Sequence, residues 1–204
     1  SKISGMVSDS VSPMVAIARF IKAEDEDAKV VFIGPCIAKK TEAKLPNLKD
    51  AVDCVLTFEE LDAMFEAYKL DLGTLEVKAP VKDASHDGRI YAHTGGVTRA
   101  IASSLKTLRP GIKLNSRHGN GIRECKQILT EVEGGNLDAN FIEGMACIGG
   151  CVGGPGRLVP MEEGAKAAEA FAQKSEIKEA VANDAAKILI EKYEEKVSLE
   201  SDSM

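Results

Sequence analysis

Glu143-Gly144-Met145-Ala146-Cys147-Ile148-Gly149-Gly150-Cys151-Val152-Gly153-Gly154-Pro155-Gly156 sets two of the chain's five cysteines four residues apart in a run of small residues. Thiolates are soft ligands suited to iron–sulfur clusters and to zinc. Glycines let a backbone approach a bulky group and offer N–H donors to sulfide or other anions. Ordinary packing explains either the cysteines or the glycines, but not both together with Pro155. Zinc is the nearest chemical rival. Zinc ribbons, however, pair short Cys-x-x-Cys knuckles, and the sequence has none.

Outward from this loop, residues 140–143 read as the strand that delivers it, and a second piece lies far upstream. There, Phe32-Ile33-Gly34-Pro35-Cys36-Ile37-Ala38-Lys39-Lys40-Thr41-Glu42 follows a β-branched run over 29–33 that reads as a buried strand. Cys36 then sits at a strand's C-terminal end, where ligands bind in open α/β sheets. If the fold brings Cys36 to Cys147 and Cys151, three thiolates meet beside Lys39. Taken alone, Cys36 reads equally as core or ligand, and Lys39 as a solvated lysine. Cys54 lies inside a second strand over 52–56, and Cys125 shares a helical face with Ile122, Leu129 and Val132. Both read as buried packing residues.

The remaining chain alternates. Ser12-Pro13 opens a helix through about residue 22, with Ser12 as cap and Pro13 at the first position. Residues 39–50 are polar and read as irregular. Thr57 and Glu60 fit a capping box for a helix to about residue 70. The segment 72–87 connects two halves. Strands are expected over 89–92 and 112–116. The tight turn His93-Thr94-Gly95-Gly96 precedes a helix over 97–108, and a further helix spans 122–133. Gly119-Asn120-Gly121 ahead of that helix has some character of a phosphate cradle but lacks the wider motif. His86, His93 and His118 show no metal-ligand spacing and read as structural or exposed. Alanine-rich helices follow over 162–174 and 177–196.

This alternation implies an α/β fold: two lobes of mostly parallel sheet flanked by helices, a cluster site between them and a helical C-terminal tail. The lobes are expected over 1–78 and 79–160, and the tail over 161–204. The chain's 204 residues and 44% hydrophobic content support a real core. A net charge of −6 argues against nucleic acid or an anionic membrane as a partner. No apolar run approaches the ~18 residues of a membrane span. An odd cysteine count at uneven spacing suits a reducing, cytoplasmic setting with free thiols and no secretory leader. Ser1-Lys2-Ile3 reads as the interior of a domain, so an excised fragment is expected.

The two cysteine pieces resemble motifs of the iron-only (di-iron) hydrogenases, in the C-terminal domain of the large subunit. The family's second motif, Met-Pro-Cys-x-x-Lys-x-x-Glu, is matched by Gly34-Pro35-Cys36 through Lys39 to Glu42. Its third, Glu-x-Met-Ala-Cys-x-x-Gly-Cys-x-x-Gly-Gly, is matched by residues 143–154, with one shift of glycine count around Gly149-Gly150. Ser12-Pro13, Val55-Leu56-Thr57 and Thr94-Gly95-Gly96-Val97 add weaker matches, so the resemblance spans about 8–156.

The resemblance implies reversible interconversion of protons and electrons with hydrogen at an H-cluster, a 4Fe–4S cubane joined through a cysteine sulfur to a di-iron subcluster. It makes Cys36 and Cys147 cubane ligands and Cys151 the bridging cysteine. Lys39 becomes the donor to a cyanide on the distal iron. Pro13, Met145 and Tyr91 become pocket residues, Tyr91 standing where Phe is usual. A ferredoxin or a fused iron–sulfur domain is the implied redox partner. The first motif, Thr-Ser-Cys-Cys-Pro or a variant, is absent from the sequence, so an upstream segment is expected to supply it, and this chain alone is expected to be inactive. Gly34 and Met14 replace a usual Met and Gln. These departures resemble a divergent branch of the family found in anaerobes, often fused to signalling domains and thought to sense hydrogen or redox state. A non-catalytic iron–sulfur sensor is the first alternative expectation, and a structural zinc module the remote one.

Overall fold

Ser12 turns the chain into its first helix, α1 (Pro13–Glu24): its hydroxyl accepts from the Val15 N–H at 3.5 Å, and Pro13 takes the first helical position. A proline there forgoes an N–H that has no helical partner anyway. The computed structural model describes residues 3–76 and 82–200. Within the connection expected over 72–87, residues 77–81 lie outside the described residues, as does the expected lobe boundary.

In the first lobe, β1 (Val31–Ile33) pairs in parallel with β2 (Cys54–Leu56), Val31 opposite Cys54 and Ile33 opposite Leu56. The stretch between them was expected to be irregular, but it opens with a short helix, α2 (Ala38–Glu42), braced by the Lys39–Glu42 ion pair one turn apart. Thr57 and Glu60 form the expected capping box at the start of α3 (Phe58–Ala67), with Glu60 N donating to Thr57 Oγ1 at 3.2 Å and Thr57 N to Glu60 Oε2 at 2.8 Å. The buried face of α1 (Met14, Val15, Ala18) packs on Val30, Leu48, Ala51, Val52 and Val55. Side chains alternate across a strand, so with Val55 inward Cys54 points outward and is exposed. The expectation of a buried Cys54 therefore fails.

The second lobe departs from expectation at 89–92. Ser85 caps a short helix there, α4 (His86–Arg89), by accepting from Gly88 N at 3.1 Å. The chain runs on through a 3-10 turn, Ile90–Ala92, which buries Ile90 completely. Helix α5 (Gly96–Leu108) follows. The next strand, β3 (Ser116–Asn120), lies beyond the predicted 112–116. Its entry is fixed by Asn115, which donates from its main chain to Asn140 Oδ1 at 2.8 Å and from its side chain to Asp138 O at 2.9 Å. The apolar Ile112 stays exposed. Helix α6 (Ile122–Glu133) has the predicted bounds, and β4 (Phe141–Met145) pairs in parallel with β3 from Ser116↔Phe141 to Asn120↔Met145. Polar, small β3 suits this place because α6 lies close upon it. A Cβ on Gly119 would meet Cys125 Sγ at 2.8 Å.

Two further helices, α7 (Met161–Gln173) and α8 (Asp184–Tyr193), lie on different lobes. At the end of α7, Phe171 stacks under the Arg89 guanidinium at 4.1 Å, and Ile177 O accepts from His86 N at 2.8 Å. Tyr193 of α8 and Val197 bury against Phe20 of α1, and Val11 N donates to Leu199 O at 2.9 Å. Among the described residues no helix is long and apolar enough to cross a membrane.

Candidate functional site

The cysteine-rich loop leaves β4 at its C-terminal end and bends sharply at Gly149 (φ +84°) and Gly150 (φ +88°). Only glycine adopts these angles readily. A Cβ on Gly149 would press on the Met161 thioether, and one on Gly150 would sit 2.6 Å from the backbone nitrogen of Thr94, which leaves it no room. Beyond a 3-10 turn over Cys151–Gly153, the loop reaches the other lobe. Gly156 N donates to Pro35 O at 3.0 Å, and Gly154 lies so close that a Cβ would approach Pro35 O to 2.5 Å. The Gly34-Pro35-Cys36 turn is held from its own side by Gly34 N, which donates to Leu56 O at 3.1 Å.

Cys36 at the end of β1 and Cys147 and Cys151 after β4 thus occupy strand termini of the two lobes, all half-buried and all free thiols. Their proximity shows in the acidity of Cys151. Burial pushes this thiol up, Cys36 and Cys147 push it further, and the Lys39 ammonium pulls it back. Cys36, Cys147 and Lys39 are thus near enough to act on the charge of Cys151, although among the described residues no three His, Cys, Asp or Glu are grouped so as to hold one metal ion. The Lys39 Nζ itself lies 2.5 Å from Glu42 Oε2, and both side chains are about one-fifth exposed (22% each).

A polar brace supports the loop from the second lobe. Glu143, two residues before Met145 on β4, is 5% exposed and accepts three bonds at the N-terminus of α5: Gly95 N at 2.7 Å, Thr98 N at 2.8 Å and Thr98 Oγ1 at 2.7 Å. A carboxylate there meets the positive end of the helix dipole. Met145 O accepts from Gly121 N at 2.7 Å and from the Cys125 thiol at 3.6 Å. Cys125 therefore fastens the strand end and takes no place beside the other three cysteines. The Gly121 and Asn120 amides are both engaged, the latter by Glu124 Oε2 at 2.9 Å, so the suggested phosphate cradle is closed.

The other expected site residues come from several elements. Pro13 is the exposed first residue of α1, and Met14 is buried in the first-lobe core. Met145 is half-buried at the end of β4. Tyr91 lines a cavity of about 410 Å³ with Ala100, Ile101, Leu105 and Ala180, and none of the three cysteines borders that cavity. Burial raises the Tyr91 phenol, and the Asp87 and Glu143 carboxylates add to the rise. His86 is buried and His118 exposed.

The model of the iron-only hydrogenase large subunit, C-terminal domain, matches residues 1–155. The chain belongs to this family. Among curated iron-only hydrogenases, the periplasmic Fe hydrogenase large subunit of Nitratidesulfovibrio vulgaris is 30% identical over 175 residues, covering 70% of this chain and 42% of that protein. Iron hydrogenase 1 of Clostridium pasteurianum is 30% identical over 167 residues, covering 64% and 29%. The chain thus spans less than half the length of these two relatives. Among solved structures, a FeFe-hydrogenase whose oxygen inactivation begins at the 2Fe subcluster of its H cluster aligns with a TM-score of 0.72 at 21% identity, over 94% of this chain and 66% of that one. A FeFe-hydrogenase of Chlamydomonas reinhardtii aligns with a TM-score of 0.69 at 20% identity, over 92% and 66%. The hydrogenase fold is shared across these alignments.

Sequence reasoning found the cysteines but missed the brace. Asn120, Thr94 and Glu143 were all visible in short motifs, each beside a glycine. Their partners lie 26 to 48 positions away, a distance no local pattern spans.

Proposed function

We propose that this domain carries the protein ligands of an H-cluster, with Cys36 and Cys147 on a 4Fe–4S cubane and Cys151 joining it to a di-iron subcluster. The intact protein would then interconvert protons and electrons with hydrogen. The observation that carries this reading is the closeness of Cys36, Cys147 and Lys39 to Cys151, seen in their effect on that thiol across the two lobes. The donor set suits the group: soft sulfur ligands, a cation to offset thiolate charge, and a glycine loop whose amides lie close to the cysteines. When bound, the cluster supplies the redox and hydrogen-activating chemistry. The chain's own residues ligate, orient and shield. Cys151 is kept from bulk water by its burial, and Lys39 offers a charged donor to an anionic cyanide.

A fourth cubane thiolate is not available from Cys54, which faces outward from β2, nor from Cys125, which is bonded to the Gly119 and Met145 carbonyls. We assign it to a segment carrying the first cysteine motif, outside this sequence. A ferredoxin or a fused iron–sulfur domain would deliver electrons. The free thiols suit a cytoplasmic setting. One relative is named as periplasmic, so this placement follows from the thiols and not from the family.

A second reading, a hydrogen- or redox-sensing domain of a signalling protein, is favoured by Met14 and Gly34. Met14 is 3% exposed in the core and cannot line a pocket. A side chain at Gly34 would meet the Phe32 ring at 3.0 Å. Two contacts expected of a fast catalyst are therefore missing. A structural zinc module is the remote reading, and metal analysis separates it from the cluster.

The test is iron and acid-labile sulfide per chain after anaerobic reconstitution, with and without an upstream extension bearing the first motif. About four of each in the extended protein and near zero in this chain is expected. A full complement in this chain would redraw the ligand set, and zinc in both would end the hydrogenase reading. Carbonyl and cyanide infrared bands in the matured protein separate the catalytic from the cubane-only sensor.

A further inference from the structure

Thr94, Asn120 and Gly149 close a three-cornered ring of hydrogen bonds. Thr94 N donates to Gly149 O at 3.1 Å, Gly149 N donates to Asn120 Oδ1 at 2.7 Å, and Thr94 Oγ1 donates to the same Asn120 Oδ1 at 3.0 Å. The corners come from three separate elements: the turn before α5, the last residue of β3, and the loop between Cys147 and Cys151. A backbone N–H can only donate, so the atom facing Gly149 must be the amide oxygen. The side-chain orientation of Asn120 is therefore determined by its partners.

We infer that Asn120 is a positioning residue: it latches Gly149 and so sets the placement of Cys147 and Cys151 relative to Cys36. Gly149 is two residues from each of these cysteines and is held at both its N–H and its C=O by the ring. The next residue, Gly150, lies against the 92–94 segment with no room for a Cβ, so the loop is clamped on the side that faces the second lobe. On the first-lobe side, Gly156 N donates to Pro35 O at 3.0 Å. Losing the Asn120 oxygen frees the Gly149 N–H and leaves the residue between the two cysteines held at its C=O alone. The inference concerns loop geometry. It bears on the cluster only through the function proposed above.

Thiol alkylation by iodoacetamide, followed residue by residue by mass spectrometry, tests it on the 204-residue chain without a cluster. Asn120→Leu removes the acceptor at similar size, and Asn120→Asp keeps it. The Leu variant should raise the rates at Cys147 and Cys151 about tenfold, the scale of two modest hydrogen bonds, with Cys36 and Cys54 unchanged. The Asp variant should restore the slow rates, a rescue that bulk destabilisation does not predict. Unchanged rates at Cys147 and Cys151 in a folded Leu variant overturn the inference. If that variant unfolds, Asn120→Ala decides. It removes the same acceptor without adding an apolar branch, and a selective rise at the same two cysteines supports the latch, whereas no selective rise overturns it. Iron and sulfide uptake is read separately, on the protein extended upstream to carry the first cysteine motif. Its failure in wild type and variants alike removes the H-cluster reading and leaves the latch standing on the alkylation rates.

Discussion

The two halves of the site are built differently. The loop of Cys147 and Cys151 is fastened by side chains reaching from elsewhere in its lobe: Glu143 into α5, Asn120 onto Gly149, Cys125 onto Met145 O. The Cys36 turn itself is held by main chain, with Gly34 N on Leu56 O and Pro35 O receiving Gly156 N, and the long side chain of Lys40 in α2 ties it down by donating to Val55 O at 3.0 Å and pairing with Glu60. Its strand offers Val31 and Ile33 to solvent at 47% and 44% exposure. A site that must hold a bulky group between two lobes can be rigid on one side and adjustable on the other. Here the rigid side carries two of the three thiols.

The largest expected effect comes from breaking the rigid side at Glu143. Its carboxylate is buried with three donors. Glu143→Ala strips the acceptor from two helix N–H groups and a hydroxyl, and a loss of about 3 kcal/mol is expected. Urea unfolding measures it. Glu143→Gln keeps one acceptor oxygen and should lose roughly half as much. A change below about 1 kcal/mol for the Ala variant would show that the brace is not what holds the second lobe.

The joint between the halves is the next target. A Cβ at Gly154 would lie 2.5 Å from Pro35 O and 3.0 Å from Cys151 O, both backbone atoms that cannot swing aside. Gly154→Ala should therefore push the lobes apart, with about 2 kcal/mol lost to overpacking. Iron and sulfide uptake of the extended protein should fall with it. Gly111→Ala is the control, because nothing lies within 4 Å of its Cβ position. Equal uptake in the two variants would mean that the joint does not govern the site.

The same contrast decides what could be read from sequence. Local signals worked wherever partners were near in the chain. Ser12 caps α1, Thr57 and Glu60 box α3, and α6 ends at Gly134. The cysteine pieces were legible because thiols and glycines at fixed spacing have few other uses. Long-range partners defeated the rest. Residues 89–92 look like a strand, but Ser85, 3.1 Å from Gly88 N, starts a helix before them, and α7 covers it through Phe171 on Arg89. Residues 112–116, with Ile112 and Leu114 in alternation, looked more strand-like than Ser-Arg-His-Gly-Asn, yet Asn115 bonding to Asn140 and Asp138 sets where pairing begins. Cys54 was misplaced by one step of the pleat, since a strand's period of two turns a small shift into a change of face.

The smallest expected effect sharpens the comparison from the adjustable side. Asp53, just before β2, accepts from Lys22 Nζ of α1 at 2.9 Å and from Val30 N at 2.8 Å, so it ties helix to sheet in the first lobe. The Lys22 bond, then the Val30 bond, lower its carboxyl from 3.8 to about 2. A lowered folded pKa means that the tie contributes fully above the unfolded value and fades as pH falls toward 2. The urea midpoint of the wild type should decline between pH 4 and 2, while Asp53→Asn, which cannot titrate, should start lower and decline less over the same window. The group is solvent-facing, so the difference will be modest and reduced by salt. Parallel curves for the two proteins would show that Asp53 does not tie α1 to the sheet. Converging curves would place the acid-sensitive fastening in the lobe of Cys36 and leave the Glu143 brace to the lobe of Cys147 and Cys151.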